Sequence, residues 1–246
     1  MQLHGLGKLT LLDYPGYLAC TAFTGACNFR CPFCHNASLV LSPDACEHIS
    51  EDEFFSFLDS RKGRLEGVCV TGGEATLQPD LPEFLKKIKS KGFLVKLDTN
   101  GYRPDVLASL IRDKLVDAVA MDIKNAKEAY PVTIGLPKES FDIQRIEESI
   151  CILLGSGIGH EFRTTIVKEL HDAAQMNSIR DWLSGLSLRC NQGTICNSPY
   201  FLQSFKPSDN LICGDDTFYH AHTEETLLSF VSLLQQKVPN TKLRGQ

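Results

Sequence analysis

The chain has one tryptophan and three methionines in 246 residues, and it lacks long apolar runs. No stretch approaches the roughly 18 consecutive apolar residues that a membrane-crossing helix needs, so a membrane partner is not expected. Positive charge is not in excess. Lys and Arg number 25 against 30 Asp and Glu, for a formal net charge of −5. Non-specific capture of nucleic acid is therefore disfavoured. No Ser/Gly linker, low-complexity tract or charge block interrupts the sequence, which points to one domain over 1–246. The first residues, MQLHGLGKLTLLDYPGYLACTAF, lack a basic stretch followed by an unbroken apolar one, so a secretory leader is not expected. Cysteine, by contrast, is plentiful, with ten residues. Without a leader they suggest a reducing, cytoplasmic setting where they serve as ligands or buried thiols.

Elsewhere the pattern is alternation. β-rich runs at Leu18–Thr24, Val68–Thr71, Phe93–Asp98, Ala118–Asp122, Phe162–Val167 and Tyr200–Phe205 are separated by segments of helical period. In Asp80–Lys91, Leu81, Phe84, Leu85 and Ile88 fall at i, i+3, i+4 and i+7. Asp80 and Glu83 suggest a capping box, and Gly92 a stop. Glu51–Ser60 reads as helical. Further stripes start at Val106, Ile143 (ended by Gly155), Ile179 and Leu227, the last within a C-terminal helix at about 222–237. Strand and helix repeated about six times predicts an α/β fold of parallel strands with right-handed crossovers. Periodicity leaves an open doubly wound sheet and an incomplete barrel both standing. In either case a site belongs at the C-terminal ends of the strands.

The loop after the first strong strand, within 25–36, carries Cys27, Cys31 and Cys34 in CNFRCPFC. Three thiolates this close hold a metal centre from one side and leave a position open, whereas structural zinc takes four protein ligands. Four readings of the letters compete: a Cys3His zinc knuckle using His35, a C-x-x-C dithiol, a C-x-x-C-H haem attachment, and an open iron–sulfur cluster that uses all three cysteines.

Polar insertions follow the later strands. Gly72 and Gly73 allow close backbone approach, and Glu74 offers a carboxylate to an ammonium group. Asp98, Thr99 and Asn100 cluster oxygens suited to hydroxyls or a small cation. Asp122 and Lys124 alternate at a strand end and could grip ribose and carboxylate. Arg163 sits in an apolar strand and calls for an anion. Each has a plainer alternative: a β–α turn, an Asn-Gly turn, a surface ion pair, an exposed Arg. Taken together they fit a ligand with an amino-acid end and a nucleoside end, such as S-adenosylmethionine.

LLDYPG, CNFRCPFCHN, TGGEATLQ, KLDTNG, AMDIKN, FRTTIV and FLQSFKP resemble, in order, the radical S-adenosylmethionine superfamily. Within it the chain is most similar to glycyl-radical-enzyme activases, especially the activating proteins of anaerobic ribonucleoside-triphosphate reductase. Pyruvate formate-lyase activating enzymes share CHN, GGEA, LDTNG and the D-x-K pattern. The resemblance implies an incomplete (β/α)6 TIM-like barrel and one 4Fe–4S cluster ligated by Cys27, Cys31 and Cys34. It also implies bound S-adenosylmethionine, with Phe33 at the adenine and Gly72, Gly73 and Glu74 at the ammonium group. Asp98 and Asp122 fall near a monovalent cation and the ligand's polar end, and Lys124 and Arg163 contact carboxylate or ribose. The implied partners are a glycyl radical enzyme and a flavodoxin- or ferredoxin-type electron donor. Alternatives are a small-substrate enzyme such as a deazaguanine synthase, and a zinc-bearing interaction protein. Cys190, Cys196 and Cys213 could form a second metal site but read rather as separate thiols. Cys20, Cys69 and Cys151 read as core.

Overall fold

The computed structural model describes residues 1–190, 195–214 and 217–245. Its contacts divide into two compact units, Met1–Asn28 with Asn36–Ala120, and Phe29–His35 with Met121–Gln246. The chain thus leaves the first unit inside the cysteine loop, returns, and leaves again along a strand.

In the first unit β1 (Gly5–Thr10) pairs antiparallel with β2 (Ala19–Thr24). After the short α1 (Ala37–Leu41) and α2 (Glu51–Ser60) comes β3 (Gly67–Gly72), parallel to β2. Then follow α3 (Leu81–Ser90), β4 (Leu94–Thr99), which is parallel to β3, and α4 (Pro104–Arg112). Four consecutive residues of β3, Gly67 to Val70, are buried, as expected of a parallel strand covered on both faces. The α3 stripe is as predicted, with Leu81, Phe84, Leu85 and Ile88 fully buried. Each contributes roughly 2 kcal/mol of apolar burial.

The helix starts differ from the sequence signals. Asp80 makes no side-chain cap; its carboxylate pairs with the Met1 amino group at 2.8 Å. The capping box is instead at α2. There Ser50 Oγ accepts from Glu53 N at 3.2 Å, and Glu53 Oε2 accepts from Ser50 N at 2.8 Å. Gly92, at φ 88°, follows the α3 C-cap.

The strand β5 (Ala118–Asp122) carries the chain into the second unit. There α5 (Tyr130–Thr133), α6 (Ile143–Ser156), β6 (Gly159–Ile166), α7 (Ala173–Arg189), β7 (Tyr200–Ser204), α8 (Glu224–Gln235) and β8 (Thr241–Arg244) follow. The strands β6, β7 and β8 are mutually parallel in that order. The α6 helix begins at Asp142, which accepts from Gln144 N at 2.9 Å. It ends at Gly157, whose φ of 72° gives the left-handed cap, so Gly155 lies within the helix and not at its stop. Two strands escaped the sequence pattern. Gly5–Thr10 is half-exposed and glycine-rich, and Thr241–Arg244 is only four residues long.

Cysteine usage also needs correction. Cys151 is not a free core thiol but is joined to Cys190 in a disulfide linking α6 to the end of α7. That removes Cys190 from any late metal site. Cys213 is exposed, and the Cys196 side chain lies outside the described residues. Cys20 and Cys69 are buried as expected, and burial pushes the Cys20 thiol up to about 12. Among the described residues no helix is long and apolar enough to cross a membrane.

Candidate active site

The cysteine loop is rooted where β2 ends. Ala26, with φ 62°, is one of two non-glycine residues described at positive φ. Both sides of it are held: its N–H donates to Leu39 O, and its carbonyl accepts from Glu74 N, each at 2.8 Å. The Gly72–Gly73 turn after β3 runs directly against this root. A Cβ on Gly73 would fall 1.8 Å from Ala26 O, and one on Gly72, at φ 123°, would fall 2.3 Å from Thr24 N and O. These glycines therefore let two loops pass backbone to backbone, a role the sequence suggested only toward a ligand. Asn36 Nδ2 donates to Gly72 O at 3.0 Å, and Gln78 Nε2 to Gly25 O at 2.8 Å, which fastens both sides of the crossing.

Glu74 is 1% exposed. Its Oε1 accepts from Thr76 N at 3.2 Å, Thr76 Oγ1 at 2.5 Å and Thr99 Oγ1 at 2.7 Å, and its Oε2 from Asn100 N at 2.7 Å. Four donors meet the roughly four lone-pair sites of a carboxylate. Burial pushes its pKa up, opposed by those hydrogen bonds. Glu74 thus welds the β3 loop to the β4 loop. Asn100 passes the constraint on. Its Oδ1 accepts from Tyr102 N at 3.0 Å, which turns Nδ2 toward Cys27 Sγ at 3.8 Å and Asn28 Oδ1 at 2.8 Å. One strand turn away, the buried Lys96 ammonium pairs with Asp98.

In the second unit, Cys31 and Cys34 form a turn closed by Cys34 N donating to Cys31 O at 3.0 Å. Cys31 is buried and Cys34 half-buried. Between them Phe33, 5% exposed, meets the Tyr219 ring edge-on at 6.4 Å. Gly135 lies so close beneath Arg30 that a Cβ would sit 2.2 Å from its carbonyl.

The charged residues of this unit form a trio. The Asp122 carboxylate takes Lys124 Nζ at 2.8 Å and Arg163 Nε at 3.0 Å. Burial alone would raise its pKa, but the two cations more than offset that and bring it to about 2. Burial likewise opposes the Lys124 charge, and Asp122, Cys31 and Cys34 together hold its pKa above the usual lysine value. Lys124 of the trio lies within the field of the Cys31–Cys34 turn. That suits an anion there. The predicted anion for Arg163 proves to be Asp122.

Sequence reasoning missed His171. It is 1% exposed and pushed down to about 4 by burial. As a neutral ring it accepts at Nδ1 from Val167 N, 3.1 Å, and donates from Nε2 to Lys124 O, 2.8 Å, so it struts the backbone that carries Lys124. Asn36 and Lys96 were also passed over as single residues, although each stands inside a quoted motif.

The residues present fit a sulfur-rich anionic group. Three thiols within eight residues are available. Asn100 already donates to one of them, and the buried Asn28 Nδ2 beside it has no hydrogen-bond partner. Among the described residues no three His, Cys, Asp or Glu are placed to hold a single metal ion. A cubane instead takes its thiolates on separate irons.

Residues 21–174 match the model of the Radical SAM superfamily. The chain is 31% identical over 210 residues, 83% of its length and 80% of the relative's, to the "Putative glycyl-radical enzyme activating enzyme MJ1227" of Methanocaldococcus jannaschii. It is 29% identical to the pyruvate formate-lyase-activating enzyme of Staphylococcus epidermidis over 134 residues, 50% of this chain and 53% of that one. Its fold is shared by Streptococcus suis SuiB bound to precursor peptide SuiA, with a TM-score of 0.63 at 13% identity over 92% of this chain and 48% of that one. The expected class is therefore observed, an α/β fold of mostly parallel strands of the radical SAM type. With the cysteine loop, the Gly72–Glu74 turn and the Asp122 trio all inside or beside the matched segment, this chain is a member of the Radical SAM superfamily and a radical SAM enzyme.

Proposed function

We propose that the chain activates a glycyl radical enzyme, with anaerobic ribonucleoside-triphosphate reductase as the partner. It rests on one observation, the likeness to the Methanocaldococcus jannaschii protein along most of both chains. The choice of reductase rests on the resemblance of the quoted motifs. The Staphylococcus epidermidis likeness favours a second reading, in which the partner is a pyruvate formate-lyase.

Membership of the family implies a 4Fe–4S cluster and S-adenosylmethionine. Cys27, Cys31 and Cys34 would hold the cluster. When bound and reduced, it would supply the electron for cleaving the sulfonium bond to the 5′ carbon, chemistry that would let the partner's glycine Cα lose a hydrogen atom.

The chain's own residues bind, orient and exclude water. Backbone carbonyls of the Gly72–Gly73 turn would take the ammonium group, since the Glu74 carboxylate is engaged by Thr76, Thr99 and Asn100. Lys124 and Arg163 would contact the carboxylate or ribose, with Asp122 keeping both cations aimed. The backbone at Phe33 would meet adenine beside a buried aromatic wall that keeps water from a reactive carbon radical. Asp98 and Asp122 are candidates for a monovalent cation. Each already has a cationic side chain against it, so the cation would compete with Lys96 or Lys124.

Anaerobic protein loaded with iron and sulfide, then reduced in the presence of S-adenosylmethionine, should yield 5′-deoxyadenosine, and Cys31→Ala should abolish both cluster and product. Mixing with each candidate partner should produce a glycyl-radical signal on the reductase. A signal on formate-lyase alone would transfer the assignment. Product without radical on any glycyl enzyme would remove it.

A further inference from the structure

Two stretches late in the chain, 205–214 and 217–222, meet the Cys31–Cys34 turn, a role that neither the motifs nor the family assignment states. Cys213 N donates to Pro32 O at 3.0 Å. Asn210 Nδ2 donates to His35 O at 3.2 Å. The buried Tyr219 ring stands edge-on to Phe33 at 6.4 Å, and the buried Phe205 ring lies 5.5 Å from that of His35. Pro32 follows Cys31 and His35 follows Cys34, so each gripped carbonyl is one residue past a thiol. Both stretches are themselves anchored on the end of β6 and the segment after it. Phe205 N donates to Ile166 O at 3.1 Å, and Lys168 N to His220 O at 2.9 Å. His220 N donates to Glu169 Oε2 at 2.9 Å, and His222 Nε2 to His171 O at 2.7 Å. A loop with few outside contacts opens locally at little cost, and these contacts raise that cost.

We propose that Asn210, Tyr219 and the Cys213 N–H are positioning residues that clamp the Cys31–Cys34 turn and, through Phe33, set the affinity for S-adenosylmethionine. They act through the turn. A carbonyl held on each side of Phe33 and a ring held against it fix the backbone between the two thiols. At position 219 the contact is made by the ring, so a phenylalanine serves there and a leucine does not. The link to S-adenosylmethionine rests on the reading in which the backbone at Phe33 meets adenine; the clamp itself does not.

The test starts on the full chain without cluster, kept reduced, with iodoacetamide alkylation of each cysteine followed by mass spectrometry. Cys31 is buried in the turn, and Cys69, fully buried in β3, is the internal reference. Alkylation of a buried thiol tracks local opening. Tyr219→Leu should speed Cys31 about tenfold, or about 1.4 kcal/mol of easier opening, and leave Cys69 unchanged. Tyr219→Phe should restore the wild-type rate. An unchanged Cys31 overturns the clamp, and so does equal acceleration of Cys31 and Cys69, which would mean general loosening. Asn210→Ala, at an exposed position, should speed Cys31 about threefold, and carries the test if Tyr219→Leu does not fold. The second arm uses reconstituted protein of equal iron and sulfide content. There Tyr219→Leu should weaken S-adenosylmethionine binding about tenfold. Adding Tyr219→Leu to Phe33→Leu should weaken it no further, because the two act as one unit. Faster Cys31 alkylation with unchanged affinity overturns the link to S-adenosylmethionine and leaves the clamp standing. Loaded wild-type protein that binds no S-adenosylmethionine overturns the underlying reading, and the link with it.

Discussion

The two units solve one problem in opposite ways. In the first, a buried carboxylate, Glu74, is satisfied by neutral donors from its own and the neighbouring loop, and glycines let those loops touch. In the second, a carboxylate, Asp122, is satisfied by two cations, and a neutral histidine struts the backbone. Burial raises the pKa of Glu74, whereas the cations depress that of Asp122. The first arrangement fixes shape and carries little field. The second carries a field and is held by charge.

The contrast is broken most severely at Gly73. Gly73→Ala would drive a methyl group into Ala26 O, and relaxation would have to move backbone. A loss of about 4 kcal/mol is expected, above the usual 1–3 for overpacking, measured as a drop in the urea midpoint. The second unit is sharpened at His171. Its folded pKa, about 4, lies below the ordinary 6.5. The unfolded chain therefore binds the proton first as pH falls, and stability is lost between 6.5 and 4, by about 3 kcal/mol across the window. His171→Gln should flatten that dependence. A variant as steep as wild type would show that His171 does not govern it. A smaller effect is expected of Asp122→Asn. The depressed carboxylate contributes stability that is complete above about 3.8 and disappears as pH falls through about 2. The variant should be about 2 kcal/mol weaker at neutral pH, with the gap closing on acidification in denaturant titrations. Least of all, Lys87→Ala, which removes a surface pair to Glu51 with Lys87 half in water, should leave the urea midpoint essentially unchanged.

The strands β2 to β7 and the buried stripes were legible because a parallel strand shows as an apolar run and a packed helix as a period. The edge strands β1 and β8 were not, since a half-exposed glycine-rich run and a four-residue strand leave no such trace. Asp80 looked like a cap because the letters D-x-x-E fit, yet it faces a stronger donor, the chain's own amino terminus. Cys27, Cys31, Cys34, the Gly-Gly-Glu turn and the Asp122–Lys124 pair were visible as motifs. What those residues touch was not, because Glu74 reaches Asn100 and Asp122 reaches Arg163 across 26 and 41 positions. The Cys151–Cys190 link, with 39 positions between its ends, was hidden for the same reason. His171 carries no motif; an apolar strand followed by a lone histidine is its only signal.

Ala26 has a consequence of its own. An alanine at φ 62° sits where glycine would rest more easily, at a penalty of roughly 1–2 kcal/mol, and is kept there by Leu39 on one side and Glu74 on the other. The loop that begins one residue later is therefore drawn taut at its base. Replacing Ala26 by glycine would relax the chain locally and also slacken it, widening the arc through which Cys27 swings. If Cys27 holds a cluster iron, as proposed, its thiol would be offered from a backbone already set on both sides rather than found by a search.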